Sequence, residues 1–251
     1  MMTSFLVKER TKETYLQKIS SEPQGTQQNR IVTINNFERF VSELYDEKTI
    51  ESVIEELKIL KKTEEERYLD ALYDLLQEWI NWNTEQEIES STQRTFFSYL
   101  RNYLYYRGIK TDQQDIKENL KFGKKIHVER HPLSQEEYRM IIGAIRNPKR
   151  KALFLLLGSS GMRIGEAMQL KKKDLDVSQE RIKVNIPAEI TKTRKGRSTY
   201  MSRETEKMLK PFLDDYADDD FIFDFGSTTD KSMRSARESN NLRTVLKRLN
   251  L

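Results

Sequence analysis

One arginine and one lysine of this sequence are suited to chemistry on a phosphate ester. Arg163 follows the glycine-marked segment Gly158–Met162 and precedes a short helical pattern, so it is predicted to stand where a helix begins. Lys192 lies in a basic segment, residues 191–197, between two runs that alternate as strands do. An arginine fork can contact phosphate oxygens bidentately, and an ammonium group can donate a proton to a departing alkoxide. We therefore predict that Arg163 is a phosphate clamp and Lys192 a general acid.

Two other interpretations of the glycine segment stay open at this point. The glycines could form only a tight turn between helices, with Arg163 as a surface cation. They could also form a nucleotide-binding loop, but no Gly-Lys-Ser/Thr sequence follows and no strand precedes them. Without a second basic segment, the plain turn would be as good an explanation as a phosphate site.

Metal chemistry is not expected. His127 and His131 are four residues apart, a spacing that suits zinc on a helix. Glu129 is misplaced for a zinc protease motif, Pro132 follows at once, and no third ligand is evident. The chain has no cysteine, which excludes thiol nucleophiles, disulfides and thiolate zinc sites. We predict no metal and no cofactor.

The charge pattern favours a nucleic-acid partner. The net charge is only +4, but the basic residues cluster, and several clusters surround Arg163. Solvated helix faces explain any single cluster, whereas several beside one phosphate site favour double-stranded DNA. The predicted DNA contacts are Lys124, Lys125, Arg130, Lys149, Arg150, Lys171, Lys172, Arg194, Lys195 and Arg197. No signal peptide or long apolar run is evident, so we expect no membrane association and a cytoplasmic location.

The elements that would position these residues are mainly helices. Apolar residues recur at helical spacing in residues 35–45, 68–82 and 91–107, where Ser91 or Thr92 could cap the helix. Ser134 and Glu137 form a capping box that starts a new series of helices. One helix of this series is expected to end at Gly158, and a short helix is expected over residues 163–170. Residues 181–186 alternate as a strand. The expected fold class is mainly α with a small β-sheet (α+β).

Two domains are expected. Between Ile109 and Pro132 the helical periodicity fades and lysines accumulate, which is typical of a connector. We place a helical domain at residues 1–125 and a second domain at residues 126–251.

The segment Gly158–Asp176 resembles the first catalytic segment of the tyrosine recombinases, whose first box runs Thr-Gly-Leu-Arg-x-Ser-Glu-Leu. Residues 160–167 read Ser-Gly-Met-Arg-Ile-Gly-Glu-Ala in the same frame. The family's hairpin lysine leads a Lys-x-x-Lys-x-Arg run, and Lys192, Lys195 and Arg197 keep that spacing. The resemblance implies that Arg163 and Lys192 are catalytic and that Glu166 supports the helix or its arginine.

The same resemblance implies the roles of the two domains and the reaction. Residues 1–125 would be a core-binding (SAM-like) domain that grips DNA opposite the catalytic domain. The complete enzyme would cleave and rejoin DNA through a 3′-phosphotyrosyl intermediate, without metal or nucleotide energy, as a homo-oligomer on DNA in a prokaryotic or viral host.

The resemblance also implies groups that these residues do not supply. The family's second box, His-x-Leu-Arg-His, is not present, and no tyrosine follows Tyr216. Leu242–Leu251 resembles the helix that ordinarily precedes that box, so we expect a catalytic domain truncated before it. The chain is then expected to bind DNA without cleaving it alone. Two alternatives are a non-catalytic DNA-binding regulator that occupies recombination sites and a helical protein-interaction scaffold.

Overall fold

The computed structural model describes residues 9–124, 129, 131–226 and 231–251, with backbone alone at 231 and 232. The chain divides into two compact units, Met1–Glu129 and Arg130–Leu251. The division falls a few residues after the boundary expected from the sequence. The predicted contacts Lys125 and Arg130, and also His127, lie outside the described residues.

The described part of the first unit is helical. Its helices are α1 (Lys12–Ile19), α2 (Gln24–Leu44), α3 (Ile50–Thr63), α4 (Glu65–Glu85), α5 (Ser90–Tyr106) and α6 (Gln113–Asn119). Their apolar stripes form one core, in which Phe37 packs edge-on against Trp79 and Tyr15 packs against Tyr103. The predicted helical segments correspond to α2, α4 and α5, and the first and third extend one residue past the end of the helix. The expected cap of α5 is wrong: Glu89 occupies the N-cap position, with no side-chain hydrogen bond to the helix.

The second unit combines helices with a small sheet. Its elements are α7 (Gln135–Ala144), α8 (Pro148–Ser160), α9 (Ile164–Ala167), β1 (Leu175–Asp176), β2 (Lys183–Ile186), β3 (Arg197–Tyr200), α10 (Arg203–Leu213) and α11 (Lys231–Leu249). The strands form an antiparallel sheet in the order β1-β2-β3. Val184 and Ile186 of β2 are buried, as the alternation predicts. The expected fold class, mainly α with a small sheet, is confirmed.

The capping box that starts the second unit is confirmed. Ser134 Oγ accepts a hydrogen bond from the Glu137 N–H (3.1 Å), and the Glu137 carboxylate accepts one from the Ser134 N–H (2.6 Å). Apolar residues of α7, α8 and α11 then meet in a small cluster around Ile141 and Phe154.

Two expected helix bounds around Arg163 are wrong. Gly158 does not end a helix; it lies inside α8, where a Cβ would overlap with the ring and hydroxyl of Tyr138. The helix ends instead before Gly161, which adopts a left-handed conformation with φ 65°. The helix expected over residues 163–170 is a single turn, Ile164–Ala167.

No described helix is long and apolar enough to cross a membrane.

Candidate nucleic-acid interface

The turn between α8 and α9 presents Arg163 to solvent. Ser160 Oγ accepts a hydrogen bond from the Met162 N–H (3.3 Å), and the Met162 side chain is buried in the core of the unit. Arg163 follows at the N-cap of α9, with its side chain 60% exposed. Because a buried residue anchors the turn on one side and the helix does so on the other, the guanidinium projects from a fixed backbone.

Glu166 joins Arg163 to a second arginine. Its carboxylate is only 2% exposed and accepts hydrogen bonds from the Arg163 N–H (2.9 Å) and Arg163 Nη1 (3.2 Å). Two bonds from Arg197, Nη1 at 3.2 Å and Nη2 at 2.6 Å, complete the arrangement. Hydrogen bonds from Arg197 and then from Arg163 lower the pKa of Glu166 to about 2. Glu166 thus stays ionised and holds two cations together, which extends the supporting role expected from the sequence.

The connection between β2 and β3 is a built turn. Thr191 is buried, and its Oγ1 accepts a hydrogen bond from the Lys195 N–H (3.0 Å) while donating one to the Ala188 carbonyl (2.9 Å). Arg194 has a positive φ of 51°, and Gly196 is so close to the Ile186 carbonyl that a Cβ would lie 3.2 Å from that oxygen. These local bonds hold the connection without using the side chains of its cations.

The three remaining cations of this connection are exposed. Lys192, Arg194 and Lys195 point into solvent, and no salt bridge joins them to an acid among the residues that the structure describes. Arg197 lies at the start of β3 and reaches Glu166, so it ties the base of the hairpin to the Arg163 turn. We call Lys192, Arg194 and Lys195 the hairpin cations.

The lysines of residues 171–173 are engaged with an acidic loop. Lys171 and Lys173 both bind Asp219, at 3.0 and 2.7 Å, and Lys172 Nζ donates to the Tyr216 carbonyl (2.7 Å). The two lysines lower the pKa of Asp219 to about 2. This run, which we call the lysine triplet, is therefore neutralised in part by the protein itself.

The basic start of α8 is also engaged. Arg150 binds the carboxylate of Glu238 on α11 through Nε (2.5 Å) and Nη2 (3.0 Å), and Glu238 is 1% exposed. Lys149 lies over the ring of Tyr216, 5.0 Å from its centroid. Arg150 consequently serves the packing of α8 and α11, a role that the sequence did not reveal.

Lys124 is a predicted DNA contact that the structure describes at the end of the first unit. It is exposed and follows Gly123, whose carbonyl accepts a hydrogen bond from Ser90 Oγ (2.6 Å) at the start of α5. Phe122 packs against Phe97 of α5 (5.3 Å between centroids), so the segment that carries Lys124 is fixed to that helix.

The exposed face of α5 is a candidate interface that sequence reasoning missed. Residues 90–111 contain no acidic residue, and Arg94, Ser98, Asn102 and Tyr105 are all exposed. The missed signal is that absence of acids, because small polar side chains with arginines can approach a phosphate backbone without like-charge repulsion.

Neither tyrosine after Arg163 has the surroundings of a nucleophile held for attack. The Tyr216 hydroxyl donates to the Ile222 carbonyl (3.0 Å), and its ring packs with Lys149. Tyr200 is 48% exposed on β3, opposite Lys183. His131 is exposed beside Glu137, and no group of metal-binding side chains occurs among the described residues.

Known proteins are similar to this chain in sequence. The family model described as the phage integrase family matches residues 131–251, which include Arg163, Glu166, Lys192 and Arg197. A curated protein of Caldanaerobacter subterraneus subsp. tengcongensis, named "Tyrosine recombinase XerC-like", is 28% identical over 138 residues. That match covers 51% of this chain and 32% of the relative, so the chain spans about a third of the length of that protein.

Two solved structures match this chain at low sequence identity. The crystal structure of XerA recombinase shares 18% identity, with a TM-score of 0.39, over 93% of this chain and 75% of that one. A Tn1549 transposon integrase in complex with transposon right end DNA shares 15% identity, with a TM-score of 0.48, over 77% and 71%. Because both TM-scores are low, the assignment depends on the sequence matches and on the residues that they contain. Those matches relate residues 131–251 to the phage integrase family and show that the chain is similar to a curated tyrosine recombinase.

Proposed function

We propose that this chain binds double-stranded DNA and supplies part of the phosphate-binding site of a site-specific recombinase. The observation that supports this proposal is the position of Arg163. Its guanidinium is exposed on a turn fixed by Met162, and the buried Glu166 is hydrogen-bonded to Arg163. The N–H groups at the start of the one-turn α9 are too few to form an anion site alone, so the side chain is the main contact.

The chemistry is that of a phosphodiester. In the recombination reaction, a deprotonated tyrosine oxygen would attack phosphorus, and the bond between phosphorus and the 5′ oxygen would break. Arg163 would bind nonbridging oxygens, whose negative charge grows in the transition state. Lys192 would give its proton to the departing 5′ oxygen. Its exposure on a hairpin whose base is tied to Glu166 supports this role.

Cleavage by these 251 residues alone is not expected. Tyr216 directs its hydroxyl to a backbone carbonyl, and Tyr200 stands on β3 with no basic group bonded to its oxygen among the described residues. Nucleophile and phosphate clamp act as a unit, so a site without the first binds DNA but has no covalent step to accelerate. This observation also favours the second candidate, a regulator that occupies recombination sites without cutting.

The first unit would hold the DNA through α5. Its acid-free face carries Arg94 and Asn102, and Lys124 follows on a segment attached to that helix. Assembly of several copies on one DNA site is part of the proposal, because recombination joins two duplexes.

Titration of labelled duplex DNA at several salt concentrations tests the binding proposal. We expect log K to fall linearly with log salt, because each neutralised phosphate releases condensed counterions. Each phosphate contact should contribute about 0.9 to the magnitude of the slope. Arg163→Ala should reduce the magnitude of that slope by about 0.9, the contribution of one phosphate contact. Arg203→Ala, at an exposed arginine paired with the exposed Glu180, is the matched control and should change less. A flat plot for the unaltered chain would contradict DNA binding.

A nicked suicide substrate tests the catalytic part. The chain alone should give no covalent protein–DNA band on a denaturing gel. When a C-terminal fragment of a relative is added, a band that is lost with Arg163→Ala or Lys192→Ala would support the recombinase. Binding without any rescue would favour the regulator. A band from the chain alone would contradict the proposal, and Tyr200→Phe and Tyr216→Phe would then identify the nucleophile.

A further inference from the structure

Two arginines share one buried carboxylate, but they share it unequally. Arg197 uses both Nη groups on the two oxygens of Glu166. Arg163 uses its backbone N–H and Nη1 alone, so its Nε and Nη2 make no hydrogen bond among the described residues. Arg163 is also the more exposed of the two, at 60% against 40%. Arg163 thus keeps more of its guanidinium donors for a ligand than Arg197 does.

The charges of the cluster explain why a second arginine is needed there. A carboxylate beside Arg163 alone would cancel its charge and would repel a phosphate. With Arg197 added, the cluster of two arginines and one glutamate carries a net positive charge of one. Glu166 is 2% exposed, so water screens it poorly and a neighbouring cation must compensate it.

The alternative is that Arg197 contacts phosphate itself, as the sequence suggested. Its position does not favour this, because a phosphate that took its Nη groups would leave the buried Glu166 with fewer partners. A buried carboxylate that loses a charged partner is strongly destabilising.

We propose that Arg197 is a positioning residue: it compensates the charge of Glu166 and so leaves Arg163 free to bind the phosphate of DNA. This role depends on the proposed function, since it needs Arg163 to contact phosphate. It assigns Arg197 to the site through Glu166 rather than to the set of direct DNA contacts.

A charge-rescue experiment tests the role with the full chain and a labelled duplex of random sequence. Arg197→Gln should raise Kd roughly tenfold, because Glu166 then neutralises Arg163. It should also reduce the magnitude of the salt slope by about 0.9, the contribution of one phosphate contact. Adding Glu166→Gln to that variant should restore the slope to that of the unaltered chain and most of the affinity. The side-chain amide oxygen of the introduced glutamine can still accept the Arg163 N–H, so the turn keeps its backbone bond.

Controls separate charge compensation from contact and from folding. Arg194→Gln, at an exposed hairpin cation, should reduce the slope by about one contact, and Glu166→Gln should not rescue it. Urea unfolding of each variant measures stability separately from binding. A folded Arg197→Gln variant that Glu166→Gln fails to rescue would show that Arg197 contacts DNA directly, and would overturn the positioning role.

The same series separates this inference from the proposed function. If Arg163→Ala leaves the slope unchanged, Arg163 does not bind phosphate, and both the proposed site and the role of Arg197 fail. If Arg163→Ala reduces the slope and only the rescue fails, the phosphate site stands and the positioning role alone is lost.

Discussion

The lysine triplet and the hairpin cations resemble one another in sequence, but the fold uses them in different ways. Both sets belong to the second unit, and each has three positive side chains that are close together in the sequence. The triplet lies against Asp219 and the Tyr216 carbonyl, whereas the hairpin cations make no salt bridge to a described acid. Charge clustering in a sequence therefore shows where cations are available. Whether they remain available depends on the acids that the fold brings to them.

Other cations of the unit extend this comparison. Arg150 is held by the buried Glu238, and Arg197 by the buried Glu166. Both are basic residues that the sequence marked as DNA contacts, and both have a partner inside the protein. The exposed hairpin cations and Arg163 are the stronger candidates for DNA.

The largest expected effect comes from removing the hairpin cations. The triple variant Lys192→Gln, Arg194→Gln and Lys195→Gln should lose three phosphate contacts, reducing the salt slope by about 2.7 and the affinity by roughly a hundredfold near 0.1 M salt. The matched variant, with glutamine at Lys171, Lys172 and Lys173, removes the same charge and should weaken binding only about threefold. Fluorescence anisotropy with a labelled duplex measures both. Equal losses of affinity in the two triple variants would contradict this distinction, because they would mean that Asp219 does not shield the lysine triplet.

Breaking the ion pair between α8 and α11 should have an effect of similar size, but on stability. Arg150→Met leaves the carboxylate of Glu238 buried, with the Asn241 amide as a remaining donor among the described residues, which should reduce the free energy of unfolding by about 3 kcal/mol. Arg146→Met, at an exposed arginine just before α8, should change the free energy of unfolding by less than about 0.5 kcal/mol. Urea denaturation at neutral pH distinguishes the two. A stable Arg150→Met variant with weakened DNA binding would instead assign Arg150 to the interface.

Acid should remove the stabilisation that comes from Glu166. Its pKa in the folded protein is about 2, against 4.5 for the free side chain, so the contribution is present above pH 4.5 and is lost as the pH falls towards 2. We expect about 2 kcal/mol at pH 7, after allowing for the exposure of both arginines. Glu166→Gln should be less stable than the unaltered chain by this amount at pH 7. Between pH 4.5 and 3 the difference should shrink, as measured by urea unfolding, and a constant difference would contradict the assignment.

The smallest expected effect is a gain in binding. Asp219→Asn removes the carboxylate shared by Lys171 and Lys173, which should strengthen DNA binding about twofold to threefold and increase the salt slope. Asp224→Asn removes the same charge at a residue with no salt bridge to a described cation, and is the matched control. A gain that is equal in both variants would reflect net charge alone, and would weaken the view that the acidic loop masks the triplet.

Local features of the fold could be predicted from the sequence. The capping box of Ser134 and Glu137 is formed by groups three residues apart, so it depends on little else. The alternation of β2 and the helical stripes of α2 and α4 follow from burial on one face. The wrong helix end at Gly158 has a physical reason: its missing Cβ makes room for Tyr138, which is 20 residues earlier in the chain.

The candidate site shows the same division. The support of Arg163 by Glu166 spans three residues and was expected from the first box. The second partner of Glu166 is 31 residues away, and Arg197 therefore could be recognised as basic but not as bound. Asp219 lies 46 and 48 residues from its two lysines, which hid the masking of the triplet.

The amino-acid sequence was sufficient to predict the helical composition, the box around Arg163 and the basic hairpin with its lysines. These depend on residue types and short spacings, which local sterics and burial patterns make readable. Which cations remain exposed and which are neutralised became clear from the three-dimensional fold. That outcome depends on carboxylates from distant parts of the chain, since an ion pair forms wherever packing brings two charges within a few ångströms, whatever their separation in sequence.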